Sequence, residues 1–135
     1  MKQTVLMDKY PIFEMELDKS ETCFQSVDAI IAHLREKIDA HPIATYIATF
    51  DHLAHTRSLP EGKAAPEILD AKLIVCCFGA ALPNPQVMAV RPRSIGVTDL
   101  GERFVINFLE PPMPTAVQAM ETWVKGLRNN CNDNA

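Results

Sequence analysis

The sequence predicts an α+β fold: a two-layer sandwich in which a mostly antiparallel sheet carries two helices on one face. Three observations predict it. Residues 12–18, IFEMELD, alternate Phe13, Met15 and Leu17 with Glu14 and Glu16, the period of a strand that is wet on one side. Val27, Ile30, Ile31, Leu34 and Ile38, and later Ala116, Met120, Trp123, Val124 and Leu127, recur at the 3.6-residue period of amphipathic helices. The uninterrupted run KLIVCCFG (72–79) has the length and composition of a strand inside a covered sheet. Two helices with one apolar stripe each need a surface to cover, and a sheet with one apolar face supplies it.

Taken in order, Thr4–Met7 forms a short strand able to pair with 12–18 across a turn at Asp8–Pro11. Ser26 is placed to cap the first helix, and Asp28 suits the positive end of its dipole. Pro42 cannot continue that helix and restricts His41, so it ends near Ala40. IATYIATFDH (43–52) is β-branched and aromatic, hence a strand. TRSLPEGKAAPEILDA (56–71) reads as a connection with one helical turn starting near Pro66. After 72–79, two further strands are predicted in QVMAVRPRSIGV (86–97) and RFVINFL (103–109), with TDLGE as the turn between the two segments. EPPMP breaks the chain before the last helix, where Thr115 and Gln118 have capping-box spacing and Lys125 and Arg128 suit the negative end. Residues 1–128 are expected to form one domain, and 129–135 a frayed polar tail.

Composition narrows the partners. A 135-residue chain with 47% hydrophobic and 22% charged residues can bury a core without staples. Its net charge of -4 and lack of a basic run argue against nucleic acid. The start, MKQTVLMDKYPIF, lacks the apolar segment of a signal peptide, and no run is long enough for a membrane span. The expected location is the cytoplasm, where Cys23, Cys76, Cys77 and Cys131 should be mostly thiols. They contain no Cys-x-x-Cys pair, which argues against a cysteine-only zinc site.

ATFDHLAH, then KLIVCCFGAALPNPQVM, SIGVTDL and RFVINFLEPP, resemble over residues 24–110 a bacterial domain-of-unknown-function family of small α+β proteins. In that family an Asp-His pair closes a strand, and a later apolar strand ends in Phe-Gly-Asn-Pro. The matching positions are Asp51 and His52, Phe78 and Gly79, and Asn84 and Pro85, with AALP inserted between Gly79 and Asn84. The resemblance implies this fold and self-association, and it brings no established activity.

Chemistry could sit at three places. Adjacent strand residues point to opposite faces, and Cα atoms about 3.8 Å apart are too close for an ordinary disulfide, so Cys76 and Cys77 read as one core and one outward residue. FDHLAHTR concentrates Asp51, His52 and His55, and an i, i+3 histidine pair on a helical turn could share a metal. Arg91 and Arg93 flank Pro92 and offer two guanidinium forks to a carboxylate or phosphate. His33 and His41 read as structural. The expected function is a small-molecule or anion-binding, regulatory module, acting as a homodimer without a cofactor. Its site would comprise Asp51, His52, Gly79, Asn84, Arg91 and Arg93. The alternative is an enzyme dependent on a divalent metal or a thiol, using His52, His55 and Cys76 or Cys77.

Overall fold

Alternation along the sequence becomes two chemically different faces of one sheet. A computed structural model describes residues 1–129. The strands are β1 (Lys2–Leu6), β2 (Tyr10–Asp18), β3 (Thr45–Asp51), β4 (Asp70–Cys77), β5 (Arg93–Asp99) and β6 (Arg103–Leu109). The helices are α1 (Val27–Ala40), α2 (His52–Ser58) and α3 (Pro114–Lys125), with short 3-10 segments at Lys19–Glu21 and Pro85–Val90. All strand pairs are antiparallel, in the order β1-β2-β6-β5-β4-β3.

Helices α1 and α3 cover one face. Phe13, Met15 and Leu17 of β2 lie in a single buried cluster with Ile30, Ile31 and Leu34 of α1 and with Met120, Trp123 and Leu127 at α3. The expected layers are therefore present. Ser26 caps α1 by accepting from the Ala29 amide at 3.1 Å, and the His41 amide closes its end on Ile38. His41 Nδ1 then accepts from the Ile43 and Ala44 amides, both at 3.1 Å, which turns the chain into β3.

Four local expectations change. Besides the hydrogen-bonded turn at Pro66, closed by the Ile68 amide on the Ala65 carbonyl at 3.1 Å, the connection opens with an unexpected helix, α2, because Asp51 Oδ1 accepts from the Ala54 amide at 3.0 Å as β3 ends. Gln86–Val90 is not strand: Asn84 caps a 3-10 turn with Pro85 at its start. Helix α3 begins at Pro114 behind Met113 with no side-chain cap, so Thr115 and Gln118 form no capping box. Arg128 lies past α3 and binds Glu21 and the Glu16 carbonyl.

The cysteines also depart from expectation, since Cys23 is disulfide-bonded, while Cys76 and Cys77 are free. Of the expected tail, Asn129 is tied to the body, accepting from the Cys23 amide at 2.7 Å. Residues 130–135 lie outside the described residues. Among the described residues, no helix is long and apolar enough to cross a membrane.

Candidate ligand-binding site

The site is assembled where β4 and β6 end and β5 begins. Phe78, just past β4, is buried against Trp123, with ring centroids 5.6 Å apart. From there the chain runs out to Asn84, whose side chain sets the 3-10 turn that carries Val87 and Val90. Pro111, Pro112 and Met113 close the opposite side ahead of α3. Together with Gln86, Arg91, Arg93 and Ala116 these residues line a cavity of about 320 Å³. That is the lower end of the size range of small-molecule sites.

Its walls are apolar and its fixed charges are positive. Arg91 Nη1 donates to the Ala81 carbonyl at 2.7 Å, which orients the fork across the 79–84 loop. Gly79 makes the approach possible, because a β-carbon there would stand 2.7 Å from Arg91 Nη1. Arg93 Nη1 donates to the Val90 carbonyl at 3.1 Å, and its Nη2 to those of Leu109 and Glu110 at 2.9 and 3.3 Å. Its Nε is buried with no acceptor. Burial holds the Arg93 pKa below its ordinary value. Among the described residues neither Arg91 nor Arg93 takes part in an ion pair. The uncapped first turn of α3 borders the same cavity and adds the positive end of a helix dipole.

Four of the six expected binding residues thus come together: Gly79, Asn84, Arg91 and Arg93. Asp51 and His52 do not join them. Asp51 stands opposite Lys72 on β4, and Arg93 opposite Cys76. Those positions lie about 13 Å apart along β4, at about 3.3 Å per residue, and two strand spacings add to that. At this far corner Lys72 is ion-paired with Asp28 and lies 3.8 Å from Asp51. His52 and His55 are exposed, with ring centroids 6.3 Å apart and each 5.4 Å from the Phe50 ring. His52 Nδ1 is 3.1 Å from Thr56 Oγ1. Among the described residues no three or more His, Cys, Asp or Glu side chains are grouped to hold a metal ion.

Arg91 and Arg93 also differ from expectation. They are not both strand residues, because the strand starts only at Arg93, after a cis Arg91–Pro92 bond. Cys76 is fully buried, and burial pushes its thiol up to about 11, so it stays protonated at neutral pH and is a poor nucleophile. Cys77 points to the other face, where its Sγ lies 3.3 Å from the Gly79 amide that donates to it.

Residues 1–129 match a family of unknown function, DUF6858. The chain belongs to that family. The match reaches beyond residues 24–110 to take in β1, β2 and α3 of the DUF6858 fold. No curated protein and no solved structure matches the chain. Sequence reasoning missed Phe78, Val87, Val90, Pro112 and Met113 as lining residues. The usable signal was EPPMP, whose prolines mark a rigid wall as well as a break.

Proposed function

We propose that this DUF6858 protein is a small-molecule-binding module whose ligand has a compact apolar body and one anionic head. The carrying observation is an apolar cavity bordered by two arginines that pair with no carboxylate among the described residues. Both arginines are only partly buried, so their guanidiniums stay within reach of a ligand carboxylate at the cavity mouth and offer it charge-assisted hydrogen bonds. Phe78, Val87, Pro112 and Met113 then take the apolar body. The raised thiol of Cys76 favours binding over thiol chemistry at this position.

Thermal shifts with matched pairs test this reading: hexanoate against hexanamide, and benzoate against benzamide. The acids should stabilise the protein more than the amides, by about 1.4 kcal/mol at ten times Kd. Arg91→Ala should remove most of that difference. Equal shifts for acid and amide would defeat the anionic head, and no shift with any of the four would defeat the pocket.

A further inference from the structure

The strand residues that face away from α1 and α3 have no covering layer among the described elements beyond the His52 and His55 rings of α2, which lie against Phe50 on the β3 edge. On β3, β4 and β5 they include Phe50, Leu73, Val75, Cys77, Ser94 and Thr98, and none of the open-face residues of these three strands is charged. Charged residues make up 22% of the chain, so an uncharged patch across three strands is unusual for a surface left in water. The charges of this face sit at its other end, on β1, β2 and the start of β6. There Lys2 stands opposite Glu14, and Asp18 opposite Arg103. Depletion of charge over a contiguous patch is the compositional mark of an interface core, and here the patch runs from β5 to the β3 edge of the sheet.

We propose that a second copy of this chain covers that face, forming a two-fold dimer sheet against sheet. Area supports a second copy. Six strands at about 4.8 Å spacing and seven residues at about 3.4 Å rise give the whole face, its charged end on β1 and β2 included, a footprint of roughly 600 Å². The pair then buries roughly 1,200 Å², where stable specific interfaces begin. Relief supports it too. A hollow lies over Gly96, walled by Leu73 on one side and by Ile12 and Leu109 on the other. In a two-fold pair the Leu73 ridge of each copy can enter the hollow of its partner. The edges of the sheet are poor alternatives. Strand β3 is broken by a bulge between Tyr46 and Ala48, and β1 is five residues long and carries Lys2, both devices that discourage edge pairing. Electrostatics points the same way, since copies that each carry -4 repel least where the β3–β5 part of the face, free of charged side chains, forms the contact.

Sedimentation equilibrium at micromolar concentrations tests the proposal. The wild type should give twice the 15.0 kDa chain mass. Val75→Lys and Thr98→Lys, on neighbouring strands, should each raise the dissociation constant at least about tenfold. Near-ultraviolet circular dichroism reports folding independently, because Trp123, the one tryptophan, lies on the helix side. A folded variant that dimerises as tightly as the wild type would overturn the face as the interface. A wild type that stays at 15.0 kDa would overturn the dimer and leave the face for a different partner.

Discussion

Gly79 governs the site through space, not through backbone freedom. A methyl group there meets the far end of the flexible Arg91 side chain at 2.7 Å, so the guanidinium has to leave the Ala81 carbonyl. Gly79→Ala should therefore weaken binding of hexanoate several-fold while unfolding temperature changes little, as titration calorimetry beside a thermal melt would show. A drop in stability with affinity unchanged would separate Gly79 from Arg91. Arg93 works differently, since its three carbonyl contacts hold together the ends of β6 and of the 85–90 turn. The glycine's importance was not legible in the sequence, because Arg91 is twelve positions away and only the folded loop brings the two together.

Among the elements, α1 is the one most fully legible in advance. Its cap, apolar stripe and last residue are as the sequence predicts, because all three depend on neighbours within a few positions. Helix α2 and the 3-10 turn at Pro85–Val90 were missed, being too short for a periodicity to show. Helix α1 also carries a pH response. Burial, reinforced by Lys37, lowers the pKa of His33, whose ring lies 4.9 Å from that of Phe24. The unfolded chain then binds the proton more readily than the folded one, so stability rises with pH across that interval. The contribution is in place above the ordinary histidine pKa of 6.5 and is lost as pH falls through the lowered folded value. Urea midpoints between pH 7 and pH 5 should fall for the wild type. The decline should be shallower in His33→Gln, and an unaltered slope would assign it to other groups.

At the scale of the whole molecule, the layer order was legible and the convergence of site residues was not. Which face a strand residue takes follows from counting by twos, as Phe13, Met15 and Leu17 show. Which residues meet across the sheet follows from register, and register placed Asp51 and Arg93 toward opposite ends of β4. The core that fixes this register is continuous from β2 to β4. Phe104 is the largest of its fully buried side chains, standing opposite Leu17 and Asp99. Phe104→Ala should cost about 3–5 kcal/mol, read as a lower urea midpoint with the slope retained. A loss below about 1 kcal/mol would mean that the sheet closes around the gap.

The pairing of β2 with β6 also sets a timetable. The first hairpin lays its long strand against the last strand of the sheet, so Asp18 meets Arg103 and Phe13 meets Phe108. During synthesis β2 must wait for about ninety further residues, which at about 5–20 residues per second is roughly 5–20 s. Throughout that interval Phe13, Met15 and Leu17 have no partner strand on the β6 side and no α3 above them. The nascent chain is thus most open to misassociation before its final third has emerged, and a ribosomal pause ahead of Arg103 would prolong that exposure.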